Sequence, residues 1–194
     1  MGKGDSSSNT VFLSKVVSVL CIPCLVQPKL FCQVIVLERN RRIAKAYARA
    51  PVLTVNGTED GFDGFRIGVN GFENPMRDSK VAEFKTQIGA GCKLKMDDSG
   101  NILVKRVSKG NIYVKNTAEE TAVSNDILKL PNGLLDMDKP FKLFDMKKFQ
   151  QNVNREMKRQ FPERNKLETQ VRYWMSSFLA RRKKLLLTNS FKHL

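Results

Sequence analysis

Residues 65–114 read FRIGVNGFENPMRDSKVAEFKTQIGAGCKLKMDDSGNILVKRVSKGNIYV. Short apolar runs alternate here with clusters of Gly, Asn, Asp and Ser, the pattern of strands separated by tight turns. Asp98-Ser99-Gly100-Asn101, between Leu94 and Ile102, is the clearest hairpin signal, because Gly and Asn tolerate the positive φ that such turns require. Ile102, Val104 and Val107 predict a strand after it. Ile112-Tyr113-Val114 predicts a short one after a second turn at Ser108-Lys109-Gly110-Asn111. Upstream, Val52-Leu53-Thr54-Val55 is a further strand. Gly57, Gly61, Gly64, Gly68 and Gly71 recur without the Lys-Ser/Thr that ends a phosphate-binding loop, so they read as turn residues.

The series Ile88-Gly89-x-Gly91, Leu94, Gly100, Ile102, Ser108 and Ile112-Tyr113-Val114 resembles the C-terminal (second Mad-homology) domain of Smad proteins. The resemblance continues through Lys129-Leu130-Pro131-x-Gly133, Phe141-Lys142-Leu143-Phe144 and Phe149, where a strand leads into a helix. It covers 65 to about 170, and its nearest variant is the invertebrate Expansion type. The implied fold is mainly β with flanking helices, a β-sandwich of the Smad and forkhead-associated kind. The implied role is a protein–protein module. The Expansion type adds a setting in epithelial tube morphogenesis and apical chitin matrix deposition. Beyond 170 the family pattern stops, so the sandwich is expected to be incomplete at its C-terminal end, and no phosphoserine-binding residue is carried over.

The chain has 194 residues and a formal net charge of +15, room for one domain with short extensions. Residues 57–138 are nearly neutral, and the excess lies in the flanks. A nucleic-acid-binding fold would be basic throughout, so direct nucleic-acid binding is not expected. Basic flanks suit acidic proteins or an anionic membrane surface. The expected organisation is an N-terminal arm (1–50), a Smad-like sandwich (51–170) and a basic amphipathic tail (171–194).

Met1-Gly2-Lys3-Gly4-Asp5-Ser6 fits the myristoylation pattern, with Gly2 as acceptor. Residues 11–26 are strongly apolar, and Cys21 and Cys24 lie within them. One acyl chain anchors marginally and a second signal makes anchoring stable, so Cys21 and Cys24 are candidate palmitoylation sites. Pro23, Pro28, Lys15 and Lys29 leave too short a run to span a bilayer. The competing reading of this segment is a core strand or helix of the domain. Residues 38–50, ERNRRIAKAYARA, predict a helix ending before Pro51. Arg39, Arg41 and Arg42 would give it a basic docking or membrane face, or it is a solvated connector.

Asp145 is placed to cap a helix. Met146, Phe149, Val153, Met157 and Phe161 follow at helical spacing, which predicts core packing in preference to a partner groove. Lys147, Lys148, Arg155, Lys158 and Arg159 form the opposite, basic face, fit for an acidic or phosphorylated partner or simply solvated. In the tail, Leu167, Val171, Trp174, Met175, Phe178 and Leu179 predict one face of a helix, followed by the cluster Arg181, Arg182, Lys183 and Lys184. That cluster fits a membrane surface, a nuclear import signal or a calmodulin-type target, or has no selected role.

No chemistry-bearing constellation emerges. Asp97-Asp98 and Glu119-Glu120 are adjacent carboxylates whose side chains diverge in strands. His193 has no nucleophile or orienting group in sequence reach. Cys21-x-x-Cys24 lacks the βαβ context of a redox site, and the cysteines lack a fourth ligand for zinc. The expectation is a non-enzyme without cofactor or metal: a cytoplasmic adaptor at the inner face of the membrane, with a nuclear transcriptional co-regulator as the alternative.

Overall fold

The structure, a computed structural model, describes residues 17–23, 32–39, 41–115, 124–170 and 173–177. Its described strands form two five-stranded sheets. The first runs β3-β2-β1-β10-β8 and the second β5-β4-β6-β7-β9, with β1 Val17–Pro23, β2 Cys32–Glu38, β3 Arg41–Ala48, β4 Val52–Asn56, β5 Arg66–Gly68, β6 Cys92–Met96, β7 Ile102–Arg106, β8 Ile112–Lys115, β9 Pro140–Phe144 and β10 Tyr173–Ser177. The helices are α1 Ser79–Thr86, the single turn α2 Asn125–Leu128, α3 Met146–Met157 and α4 Arg164–Gln170. This is a mainly β sandwich with flanking helices, the expected fold class.

Strand alternation builds the core. Cys32, Val34 and Val36 from β2 and Ala46 and Ala48 from β3 are buried, as are Leu53 and Val55 from β4, Leu94 from β6, Ile102 and Val104 from β7, and Leu143 and Phe144 from β9. These residues belong to one apolar cluster, stabilised by roughly 25 cal/mol for each Å² of apolar surface removed from water. Asp97 anchors the β6–β7 turn, accepting from Ser99 N at 3.0 Å and Asn101 N at 2.9 Å. Gly100 there has φ +77°, as that turn chemistry requires.

Three helical expectations need correction or trimming. Residues 41–48 are strand β3, paired with β2 from Arg41↔Glu38 to Ala48↔Cys32. Ala and Arg favour helices, but Ala44, Ala46 and Ala48 alternate with Lys45 and Tyr47 at period two, and the β2 partner decides the outcome. Residues 173–177 are strand β10, not helix, paired with β1 and β8. Neighbouring strands on both sides take up its backbone hydrogen bonds, and this tertiary pairing overrides the helical spacing. Within α3, Phe149 is buried and Met146 and Val153 pack on the core, but Met157 is 73% exposed, and Phe161, beyond the helix end, is 79% exposed. The stripe is core only over its first two turns.

Strand β1 falls within the apolar N-terminal segment, and Val17 is buried. The core-strand reading therefore describes 17–23. Helix α1 was not expected. Asp78 caps it by accepting from Val81 N at 3.0 Å, and it buries Val81 and Lys85.

Candidate functional site

The β2–β3 turn and the start of α1 meet over a buried ion cluster. Alternation along β2 puts Cys32, Val34, Val36 and Glu38 on its inner face, so a carboxylate follows three apolar residues into the interior. Glu38 is 3% exposed. Its oxygens accept from Lys85 Nζ at 2.8 Å, Arg77 Nε at 3.1 Å and Asn74 Nδ2 at 2.5 Å. Burial pushes the Glu38 carboxyl up, but Arg77, Lys85 and Asn74 together hold it below its ordinary range. Burial also pushes the Lys85 ammonium down, against the Glu38 carboxylate that keeps it charged. Arg77 Nη2 donates to the Phe72 carbonyl at 2.6 Å, which ties the 72–77 loop to the same carboxylate.

Above this cluster lies a concavity of about 540 Å³. Its lining includes Glu38, Arg39, Arg41, Arg77, Asp78 and Val81. Arg39 Nε donates to Asp78 Oδ2 at 2.5 Å, joining the β2–β3 turn to the α1 cap. The Asp78 carboxyl is lowered to about 2, first by the Arg39 guanidinium and then by the Val81 N–H. Met76, 70% exposed, gives the rim an apolar lip. Arg41 and Arg42 are exposed, and neither makes an ion pair among the described residues. The result is a partly apolar recess whose lining holds three guanidinium groups and two carboxylates, with Arg41 placed to meet an acidic side chain.

The predicted basic residues are not gathered into one patch. Arg39, Arg41 and Arg42 lie at the β2–β3 end of the first sheet. Lys147, Lys148, Arg155, Lys158 and Arg159 lie on or just after α3, beyond β9 of the second. Asp145 caps α3, accepting from Lys148 N at 3.0 Å. Lys148 Nζ donates to Asn125 Oδ1 at 3.0 Å and Arg155 to Asn152 Oδ1 at 3.3 Å. Arg159 pairs with the buried Glu156 at 3.1 Å and with Glu163 at 2.7 Å, so its charge is largely committed within the fold. Lys147 and Lys158 are exposed. Cys21 lies in β1. Gly2, Cys24, Arg181, Arg182, Lys183 and Lys184 lie outside the described residues.

Sequence reasoning missed Glu38 and Lys85 as partners. The available signal was Glu38 in phase with the apolar residues of β2, which demands a buried cation. Among the described residues no helix is long and apolar enough to cross a membrane.

The model of the MH2 domain matches residues 29–181. Among solved structures, the chain is similar to one titled "Crystal Structure of STAT2 in complex with IRF9", with TM-score 0.50 and 13% identity over 87% of this chain and 94% of that chain. It is also similar to one titled "Crystal Structure of Interferon Regulatory Factor 9 IAD Domain", with TM-score 0.49 and 12% identity over 84% of this chain and 82% of that chain. Comparison with curated proteins finds no match.

Proposed function

The chain belongs to the MH2 (Smad C-terminal) domain family, whose members are protein-interaction modules, and on that footing we propose that it is a non-enzymatic adaptor. The observation that carries this reading is the recess between the β2–β3 turn and α1. Glu38 and Arg77 in its lining are held in one ion cluster with Lys85, and Arg41 and Met76 offer an open charge and an apolar contact. Such a preorganised surface loses little conformational entropy when a partner docks. Partners identified by cross-linking to the full chain are to be purified and their affinity remeasured with the double variant Arg41→Glu/Met76→Asp. The expected result is at least about tenfold weaker binding, on the order of 1.4 kcal/mol. Unchanged affinity removes the recess from the interface, and the lack of any stoichiometric protein partner overturns the adaptor reading.

The finer setting is a cytoplasmic adaptor held at the inner face of the membrane by an acyl chain on Gly2, with Cys21 or Cys24 supplying a second. It rests on the N-terminal motif alone. The Expansion-type resemblance extends it to epithelial tube morphogenesis and apical chitin matrix deposition. Gly2→Ala is expected to move the protein from the membrane to the soluble fraction of a cell lysate, and an unchanged distribution sinks the lipid part.

A further inference from the structure

The second sheet carries its charge on one face. Leu53, Val55, Leu94, Ile102 and Val104 alternate into the core, so the residues between them face outward. Strand register sets these in two rows. One row holds Arg66, Thr54, Lys93 and Lys105. The other holds Val52, Lys95, Leu103 and Lys142. None of the five strands contains an aspartate or a glutamate. Among the described residues, carboxylates reach this face from flanking segments: Asp60 pairs with Arg66 at 3.2 Å, Asp138 with Lys105 at 3.1 Å and Asp145 with Lys142 at 3.1 Å. The middle strand, β6, differs: Lys93 and Lys95 are exposed and, among the described residues, make no ion pair.

Lys93 stands directly opposite Lys105, a like-charge pair across two strands that destabilises a sheet. Asp138 compensates Lys105, but no described carboxylate compensates Lys93, so the arrangement points to an anion outside the molecule. The make-up of the face selects the class of anion. Four of its five cations are lysines, and neither row contains an aromatic side chain. Protein interfaces are enriched in aromatic residues and Arg and depleted in Lys. Single-stranded nucleic acid is held by aromatic stacking, which this face lacks. An anionic bilayer requires neither. It attracts surface cations in proportion to their number and without fixed partners. Lysine also keeps its ammonium among polar headgroups while its methylenes lie on apolar surface, and Val52, exposed beside Lys95, supplies some of that surface.

We propose that this face, centred on Lys93 and Lys95, is a contact surface for the anionic headgroups of a phospholipid membrane, with Arg66, Lys105 and Lys142 around the central pair. The Arg66 and Lys105 ion pairs are exposed and weak in water, so headgroup phosphates can take the place of their carboxylates. The face belongs to the second sheet, whereas the recess lies between α1 and the β2–β3 turn of the first. The inference requires neither acylation of Gly2 nor the adaptor reading, and lipid and partner binding are measured separately.

The test uses the full chain without acylation and vesicles of phosphatidylcholine, with or without phosphatidylserine, read by co-sedimentation. Expected is binding that requires phosphatidylserine and weakens as salt rises. Lys93→Glu/Lys95→Glu should lower the affinity at least about tenfold. The thermal midpoint of that variant should hold or rise, because the repulsion between Lys93 and Lys105 is relieved, and this separates lost binding from lost folding. Acetylation of Lys93 and Lys95 by a water-soluble succinimidyl ester, read by mass spectrometry, should be slowed by the anionic vesicles. Lysines already unreactive in the free chain overturn the inference, as does the absence of vesicle binding. If the variant binds vesicles as before and Arg181→Glu/Arg182→Glu does not, the lipid contact lies in the tail and the inference fails. It fails too if the variant keeps its vesicle binding but loses a protein partner, or if duplex DNA binds through the same lysines more tightly than the vesicles do.

Discussion

Glu38 is the residue on which the packing of the β2–β3 end turns. Its side chain is 2% exposed and the Lys85 side chain 4%, and the two lie 47 positions apart in sequence. Burying two charges is costly unless each finds its complement. Glu38→Gln leaves the Lys85 ammonium buried without a counter-charge, and a loss of about 3–5 kcal/mol is expected from urea unfolding. Glu38→Leu/Lys85→Met removes both charges and should recover much of that loss. A Glu38→Gln variant of wild-type stability would show that the pair is not formed. The pH dependence follows with a definite sign. The carboxyls of Glu38 and Asp78 sit below their ordinary values of 4.5 and 3.8, Asp78 at about 2. Their contribution is therefore present above pH 4.5 and lost as the pH falls toward 2. The acid limb of a stability-against-pH curve should be shallower in Glu38→Gln, and an identical limb would exclude Glu38 as its source.

At the scale of elements, the first turn of α3 is held by two acceptors, one local and one from the β6–β7 turn. Asp145 Oδ1 accepts from Lys148 N at 3.0 Å, and Asn101 Oδ1 accepts from Met146 N at 2.9 Å. Asp145→Ala should cost about 1 kcal/mol, in the usual range for a lost N-cap. Adding Asn101→Ala leaves two first-turn N–H groups without these acceptors and should lower the thermal midpoint further. A double variant no less stable than Asp145→Ala would mean that the turn does not hold the helix. The Asp145 cap, the Asp98–Asn101 turn and strands β4, β7 and β8 were legible in sequence, because their signals are local, and β9 was legible through the family resemblance. Strand β3 was not, because short alanines on its inner face carry a weak period-two signal and suit a helix equally well. Strand β10 was not, because its partners β1 and β8 lie far away in the chain. The candidate recess was legible only in part. Arg39, Arg41 and Arg42 were visible as a basic cluster, but Lys85, Arg77 and Asn74 reach Glu38 only through the fold.

For the whole molecule, the decisive feature is where the two ends of the described chain meet. Strand β1 pairs with β2 on one side and with β10 on the other, from Val17↔Ser177 to Cys21↔Tyr173. Strand β10 then pairs with β8, from Trp174↔Lys115 to Ser177↔Ile112. The inner strands β1 and β10 thus come from opposite ends of the described chain, and their pairing must wait until the intervening chain brings them together. Contacts of such long separation make folding slow, and they make the last strand indispensable to the sheet. A chain ended at Gln170 would lack β10, leaving β1 and β8 without their shared neighbour and with unpaired edges. Its urea transition is expected at lower midpoint and with a smaller m-value, since less surface is buried to begin with. Hydrogen exchange should show β1 losing protection together with β8, while β4, β6 and β7 keep theirs, because the second sheet pairs independently. If the shortened chain retains the full midpoint, m-value and β1 protection, then β10 is not the strand that joins β1 to β8, and the first sheet must be held together across that gap by another segment.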